Sequence, residues 1–348
     1  MKTVVINPNS SFAKGINNAT IEPPIGIAYL SSYLRKKGYE CSLIDANILQ
    51  LSEQGILEKI GSDTGIIGIS FNVVSAISAF RLVKYLKSEL PSAIFIAGGP
   101  HPTCIPEICI SEFGFDAVCI GEGEETFLDI VENINSKRSN PFEGVSGVYY
   151  REGNKVIKNP PRKLIENLDM IPFADLGLLP DLSLYRSLTR AKPCGIILAS
   201  RGCPYHCTYC NKNIFHARYR LRSVDNVISE IEYQIQRSGI RQIDFMDDNI
   251  TVNANYANNL FDEIIRRNFN LFINLQNGVR ADLINEDLVR KMKKAGVFKV
   301  AIGVESGDAS IQKIIKKDLK LDKVLETTRL FKKYGIKVYG NFMLGLPE

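Results

Sequence analysis

Short apolar runs alternate with amphipathic segments over residues 1–135, and each apolar run ends in polar or glycine residues. This alternation predicts βα units, in which helices cover both faces of a parallel sheet. The carboxyl ends of such strands share one edge, where ligands of open α/β sheets bind. Five strands are predicted, at 3–7, 40–45, 66–70, 93–98 and 117–120. The loops that follow them include Asn7-Pro8-Asn9-Ser10-Ser11-Phe12, Ser70-Phe71-Asn72, Gly98-Gly99-Pro100-His101 and Gly121-Glu122-Gly123-Glu124.

The pattern changes after a helix that ends near Asn135. Alternating residues at 145–150 and 155–157, separated by Glu152-Gly153-Asn154, predict a β-hairpin. The segment from Leu164 to Lys192 has few periodic apolar positions and is interpreted as an interdomain linker. The predicted organisation is therefore a doubly wound domain at 1–137, a hairpin and linker at 138–192, and a second α/β domain at 193–348.

The βα rhythm resumes in this second domain. Strands are predicted at 195–200, 242–247, 271–276, 298–304 and 337–344, with helices near 224–238, 254–268, 285–295, 308–316 and 321–334. Five successive βα units favour a barrel, or an open part of one, with its chemistry at the carboxyl ends of the strands. A last parallel strand without a covering helix would expose backbone and apolar surface, so we expect the barrel to be truncated after its fifth strand.

Composition narrows the classes of function. The chain has 348 residues, 45% of them hydrophobic, and a net charge of +5 from 43 basic and 38 acidic side chains. No basic run stands apart from the amphipathic pattern, which argues against nucleic-acid and membrane-surface binding. No stretch is apolar enough to span a bilayer, and the first residues run directly into a strand, so we predict a cytoplasmic protein.

Three cysteines are grouped after the first strand of the second domain, in the C-x3-C-x2-C arrangement of Cys203, Cys207 and Cys210. A cubane iron-sulfur cluster usually takes four cysteine ligands, so three from one loop leave one iron open. Zinc with His206 as a fourth ligand is the alternative, but the spacing does not fit a zinc ribbon or finger. The other cysteines show no ligand spacing and are interpreted as small buried or incidental residues: Cys41, Cys104, Cys109, Cys119 and Cys194.

A C-x3-C-x2-C loop at this place in a βα series resembles that of the radical S-adenosylmethionine (SAM) enzymes. The resemblance implies a (β/α)6 barrel, a 4Fe-4S cluster on the three cysteines, and SAM bound through its amino and carboxylate groups to the open iron. The cluster would then cleave SAM to a 5′-deoxyadenosyl radical. It also implies that Tyr209 lies near the adenine.

Polar residues at later strand ends extend this resemblance. Asp247 and Asp248 are candidates for the methionine amino group of SAM, with helix capping or a surface ion pair as the alternative. Arg280 is a candidate for the SAM carboxylate, weighed against a plain salt bridge. Glu305 is a candidate for the ribose hydroxyls or the amino group. Gly345-Leu346-Pro347-Glu348 resembles the family's segment after the fifth strand.

The first domain, placed before a Cys-loop barrel, resembles the cobalamin-binding domain of the cobalamin-dependent radical SAM subfamily. The segments that carry this resemblance are 23–30 and 98–103. Ser70, Asn72, Gly98 and Gly99 are candidates for contacts to the corrin and its nucleotide tail. The first loop lacks the Asp-x-His-x-x-Gly motif, so cobalamin is expected without a protein histidine on cobalt. His101 is assigned a hydrogen-bonding or turn role instead.

These resemblances predict cobalamin-assisted methyl transfer to an unactivated carbon of a small-molecule or natural-product substrate. A cobalamin-dependent ring cyclase or rearrangement enzyme is the main alternative. A cluster-binding electron-transfer protein, or a catalytically incomplete fragment, is the third possibility. An external electron donor such as flavodoxin or ferredoxin is expected, while the substrate, the catalytic residues and the oligomeric state stay unassigned.

Overall fold

A computed structural model of the chain describes residues 1–10, 21–185 and 189–346, which form two compact units. The first unit comprises Met1–Glu166 and Met170–Leu188, and the second comprises Asn167–Asp169 and Thr189–Glu348. Ser11 and Phe12 of the predicted first loop lie outside the described ranges, as do Pro347 and Glu348 of the segment after the predicted fifth strand of the second domain. No helix within those ranges is long and apolar enough to cross a bilayer.

The first unit is a seven-stranded sheet in the order β2-β1-β3-β4-β5-β6-β7. Its strands are β1 Lys2–Asn7, β2 Cys41–Asp45, β3 Thr64–Ser70, β4 Ile94–Gly98, β5 Ala117–Cys119, β6 Val148–Glu152 and β7 Lys155–Lys158. Its helices are α1 Ile25–Lys36, α2 Ala46–Leu49, α3 Glu53–Ile60, α4 Ala76–Glu89, α5 Pro100–Cys104, α6 Pro106–Ser111 and α7 Glu124–Asn135. Strands β1 to β5 are parallel, whereas β6 and β7 are antiparallel.

This architecture confirms the predicted α/β fold and its five parallel strands. The three consecutive residues Val4, Val5 and Ile6 are all buried, because helices cover both faces of a parallel sheet. The predicted hairpin is β6–β7, and it pairs with β5, so its strands extend the first sheet. The domain boundaries 1–137, 138–192 and 193–348 stay a prediction.

The second unit contains a five-stranded parallel sheet in the order β14-β13-β12-β11-β8. Its strands are β8 Cys194–Ile197, β11 Gln242–Phe245, β12 Phe272–Val279, β13 Val297–Glu305 and β14 Lys337–Phe342, and the short strands β9 Ser200–Arg201 and β10 Arg220–Leu221 form a separate antiparallel ribbon. Its helices are α8 Val224–Ser238, α9 Ala254–Arg267, α10 Glu286–Ala295, α11 Ala309–Ile314 and α12 Leu321–Lys333. The strand order matches successive units of a βα barrel, and the truncation of a (β/α)6 barrel after its fifth strand stays a prediction.

Side-chain caps mark where the helices of the second unit begin. Ser223, Asn253, Asn285 and Asp308 each accept a hydrogen bond from a main-chain N–H in the first turn of α8, α9, α10 and α11, respectively. Each of these polar residues stands immediately before an amphipathic segment in the sequence. Such residues mark helix starts, which explains why the predicted helix bounds agree closely with the observed ones.

Part of the predicted linker is anchored to the first unit by a buried hydrogen bond. The Tyr185 hydroxyl donates to Oδ2 of Asp45 at 2.7 Å, and Asn7 donates to Oδ1 of the same carboxylate at 2.8 Å. Asp45 has no exposed surface, and burial raises the pKa of its carboxyl group. The hydrogen bonds oppose that rise, since they stabilise the charged form.

Tyr185→Phe is expected to lower the free energy of unfolding by about 2 kcal/mol at pH 7, the usual scale for a hydrogen bond to a charged group. A carboxyl group with a raised pKa in the folded state favours folding most at low pH, and that advantage is lost as the pH rises. Removing the Tyr185 hydroxyl raises the pKa of Asp45 further. The loss should therefore be larger at pH 7 than at pH 4, as measured by urea unfolding at both values.

Asp45→Asn provides the background control. In that background Tyr185→Phe should cost the same at both pH values, because the titrating group is gone. An equal cost at both pH values in the wild-type background would contradict the assignment.

Candidate functional site

A cavity of about 230 Å³ opens in the second unit, at the carboxyl edge of its sheet. It is lined from six chain segments, five of which lie at or after the carboxyl ends of strands. The predicted site residues that line this cavity are Cys203, Cys207, Tyr209, Cys210, Asp248, Arg280 and Glu305. Three further lining residues with polar side chains are Tyr205, Lys212 and Lys317. Of the predicted site residues in this unit, Asp247 does not belong to the lining.

The cysteine loop is held between the two short strands β9 and β10. Gly202 opens it with a φ of +85°, a conformation that favours glycine, and its α-carbon faces the main chain at Arg218. The Thr208 N–H donates to the carbonyl of Ile315 at 2.9 Å, and Cys210 N–H donates to the Cys207 carbonyl at 3.2 Å. The loop is therefore fixed at both ends and in its middle.

All three thiols of this loop face the same cavity. Among the described residues, no group of three or more His, Cys, Asp or Glu side chains is gathered tightly enough to hold one metal ion. A cubane cluster binds each thiolate on a different iron, so its ligands line a cavity and need not converge on one point. Burial raises the pKa of Cys203 and Cys210, so coordination to a metal would be needed to hold them as thiolates at neutral pH.

A buried ion pair lines the same cavity as the thiols. Lys317 Nζ lies 2.8 Å from Oε1 of Glu305 and 3.1 Å from the Tyr209 hydroxyl. The Lys317 and Glu305 side chains are only 10% and 9% exposed. Glu305 has a φ of +65°, a left-handed conformation that is uncommon for a residue other than glycine.

Gly303 makes room for this pair. A β-carbon at Gly303 would lie 2.5 Å from Oε1 of Glu305 and 2.8 Å from Nζ of Lys317. Lys317 was not predicted, because it lies in the turn between α11 and α12 and not at a strand end. Its only sequence signal is its place in the polar run Lys316-Lys317-Asp318, which periodicity reads as a solvated surface.

The two adjacent aspartates after β11 point in different directions. Asp247 is 3% exposed, and its oxygens accept from the Ala199 N–H at 3.1 Å and the Ser200 hydroxyl at 2.5 Å. Burial raises its pKa to about 6. Asp248 lines the cavity and accepts a main-chain hydrogen bond from Gly202. Asp247 thus fixes the strand that leads into the cysteine loop, while Asp248 faces the cavity.

Arg280 lies at the cavity but is already engaged. Nε and Nη2 contact Asp282 at 3.0 and 2.9 Å, and Nη1 donates to the Lys317 carbonyl at 3.0 Å. Its guanidinium also stacks over the Tyr205 ring, 4.0 Å from the centroid. The alternative prediction for Arg280, a salt bridge, is therefore present. Through the Tyr205 ring and the Lys317 carbonyl, Arg280 also connects the cysteine loop to the turn that carries Lys317. Its role toward the SAM carboxylate stays a prediction.

The candidate residues of the first unit lie at the carboxyl edge of β3 and β4. Gly99 has a φ of +95°, and a β-carbon there would lie 2.8 Å from the Ser70 hydroxyl. A β-carbon at Gly98 would meet no atom within 4 Å, so its main chain faces open space that a large ligand can approach. Asn72 caps the turn Val73–Ser75 through its side chain.

Two family models match this chain. The radical SAM superfamily model matches residues 197–348, and the B12 binding domain model matches residues 15–131. These ranges contain the cysteine cavity and the glycine-rich edge, respectively. The order of the two matches is the order that the sequence predicts.

Similar proteins align with nearly the whole chain. An uncharacterized methyltransferase of Pyrococcus horikoshii is 32% identical, and the alignment covers 99% of this chain and 74% of that protein. The anaerobic magnesium-protoporphyrin IX monomethyl ester cyclase of Rubrivivax gelatinosus is 28% identical, and the alignment covers 100% of this chain and 63% of that protein. The chain belongs to the family of radical SAM enzymes with a cobalamin-binding domain.

A solved structure shows the same fold. The radical SAM methyltransferase TsrM of Kitasatospora setae, determined with cobalamin and a [4Fe-4S] cluster bound, aligns with a TM-score of 0.77 at 18% identity. The alignment covers 100% of this chain and 68% of TsrM. The α/β fold with a B12-binding and a radical SAM domain is thereby confirmed. The family's cofactors are SAM with a 4Fe-4S cluster, and cobalamin.

Gly202→Ala is expected to lower the stability of the second unit by about 2 kcal/mol or more, since the added methyl group would overlap the Arg218 carbonyl and the backbone has a positive φ. Gly307→Ala is the matched control, because a β-carbon there meets nothing within 4 Å. Urea unfolding and limited proteolysis within 201–222 measure the difference. Equal stability of the two variants would show that the loop does not need this conformation.

Proposed function

We propose that this chain is a cobalamin-dependent methyltransferase of the radical SAM family, with its 4Fe-4S cluster on Cys203, Cys207 and Cys210. The observation that carries the proposal is that these three thiols line one cavity together with buried groups of both charges. When bound, the cluster and SAM supply a 5′-deoxyadenosyl radical that removes a hydrogen atom, and cobalamin supplies a methyl group.

The cavity side chains match the chemistry of SAM, which carries an ammonium, a carboxylate, a ribose and an adenine. Asp248 and Glu305 supply carboxylates for the ammonium and the ribose hydroxyls, and Tyr209 supplies a ring beside the adenine. Lys317 or Arg280 supplies the cation for the carboxylate. Asp247 does not contact SAM in this proposal, and instead its hydrogen bonds to Ala199 and Ser200 hold the main chain before the cysteine loop.

In the first unit, we assign the cobalamin contacts to the edge formed by Ser70, Asn72, Gly98 and Gly99. The open space above Gly98 supports this assignment. His101 does not serve as a cobalt ligand in the proposal. Its main-chain N–H donates to the Phe71 carbonyl at 3.2 Å, and its ring lies 6.1 Å from the Phe71 ring, centroid to centroid. These contacts support a packing and turn role.

The similar proteins supply both candidate reactions. One is named as a methyltransferase and another as a cyclase. The first candidate reaction is methyl transfer to an unactivated carbon of a small organic molecule. Cyclisation without methyl transfer is the second candidate. An external one-electron donor of the flavodoxin or ferredoxin class completes either reaction.

Electron paramagnetic resonance tests the two metal cofactors. Wild-type protein reconstituted anaerobically with iron, sulfide and cobalamin should show a reduced-cluster signal that shifts when SAM is added. It should also show a cob(II)alamin signal without splitting from an axial nitrogen. Cys203→Ala should lose the cluster signal, because it removes one of three ligands.

Cys194→Ala is the matched control. Cys194 is buried in β8 of the same unit and outside the cavity lining, so its loss should leave the cluster signal unchanged. A cluster signal that ignores SAM would sink the radical mechanism and favour an electron-transfer protein. Nitrogen splitting that disappears in His101→Ala would overturn the assignment of that residue.

Labelled SAM distinguishes methyl transfer from cyclisation without a known substrate. With CD3-labelled SAM and reduced cobalamin, a methyltransferase should release S-adenosylhomocysteine and leave the label in the cobalamin fraction. A cyclase should form 5′-deoxyadenosine but leave cobalamin unlabelled. Mass spectrometry of both fractions decides between the two, and the absence of S-adenosylhomocysteine would count against methyl transfer.

A further inference from the structure

The loops after β3, β4 and β5 leave the carboxyl edge of the first sheet side by side. The first two are joined by the main chain. Phe71 N–H donates to the Gly98 carbonyl at 3.1 Å, and His101 N–H donates to the Phe71 carbonyl at 3.2 Å. Together with the close approach of Gly99 to Ser70, these bonds make the β3 and β4 loops one unit.

The third loop is joined to this pair through a side chain. Thr103 lies on α5, immediately after the β4 loop, and is 6% exposed. Its hydroxyl donates to the Gly99 carbonyl at 2.9 Å and accepts from the Gly121 N–H at 3.1 Å. A threonine hydroxyl has one proton and two lone pairs, so it can form both bonds at once.

The link falls at a place where the chain turns sharply. Gly121 has a φ of +76° and begins the loop that leads into α7. Without the Thr103 hydroxyl, the Gly121 N–H would lose this acceptor, whereas the Gly99 carbonyl would keep the hydrogen bond from the Thr103 main-chain N–H at 3.2 Å. A part-buried polar group left unpaired favours movement of the loop toward water or another partner.

We propose that Thr103 is a positioning residue of the cobalamin site, and that it holds the loop Gly121–Glu124 beside Gly98 and Gly99. This inference rests on the proposed function, in which the first unit binds cobalamin. Strands β4 and β5 are neighbours in the sheet, and neighbouring strands lie about 4.8 Å apart. A ring of tetrapyrrole size that rests on the β4 loop therefore also reaches the β5 loop.

Equilibrium dialysis of aquacobalamin against the whole chain tests the proposal. Thr103→Val keeps the shape of the side chain and removes both hydrogen bonds, so Kd should rise roughly tenfold. Thr103→Ser keeps the hydroxyl and should bind within about twofold of wild type. If Thr103→Val does not fold, Thr103→Ala takes its place with the same expectation.

Thr64→Val is the matched control. Thr64 begins β3, at the opposite edge of the sheet, and its buried hydroxyl donates to the Ile60 carbonyl at 2.8 Å, also four residues earlier. This variant should lose comparable stability in urea while keeping the wild-type Kd. An equal rise in Kd for both valine variants would show that Thr103 acts only through general stability, and would overturn the proposal.

The remaining outcomes separate the two hypotheses. Wild-type protein that binds aquacobalamin, with an unchanged Kd in Thr103→Val, overturns the positioning role and leaves the proposed function intact. Wild-type protein that does not bind aquacobalamin overturns both. A weakened Kd in Thr103→Val that Thr103→Ser restores supports the positioning role.

Discussion

The parallel alignment of strands is the constraint on which both sites depend. Parallel strands place all their carboxyl ends at one edge, so residues far apart in the sequence arrive at the same place. In the second unit this alignment brings the loop after β8, the turn after β11 and the end of β13 around one cavity. Cys203, Asp248 and Glu305 share that cavity for this reason and not because of any local motif.

Charge pairing then decides how the cavity is organised. Glu305 and Lys317 are nearly buried, and a buried charge is costly unless it is paired and hydrogen-bonded. Their pairing, with Tyr209 as a third partner, joins the cysteine loop, β13 and the turn before α12. Arg280 forms a salt bridge with Asp282 and donates a hydrogen bond to the Lys317 carbonyl, so it also holds the turn before α12. The walls of the cavity are thus preorganised by charges that a zwitterionic ligand can also contact.

The first unit is organised by close main-chain approach. Gly99 brings the β4 loop against Ser70 and Phe71, where a side chain would not fit, and Gly98 leaves the main chain open to a ligand. Phe71, the residue after β3, is buried and stacks on Phe115, with ring centroids 6.0 Å apart. Open main chain at Gly98 beside a buried aromatic pair supports the proposal that this edge binds a large, flat ligand.

Local sequence patterns predicted the two α/β units, the parallel strands of both sheets, the helices of the second unit and the cysteine loop, because apolar periodicity and a short fixed spacing are local properties. These patterns also placed the candidate residues at the carboxyl edge of each sheet, where the structure has them. Tertiary structure alone decided which groups face the cavity. Asp247 and Asp248 are indistinguishable as sequence, yet successive residues at a strand end point to opposite sides, so one supports the loop and the other faces the cavity. Lys317 and Thr103 form hydrogen bonds with residues distant in the chain, and no pattern of neighbouring residues encodes such contacts.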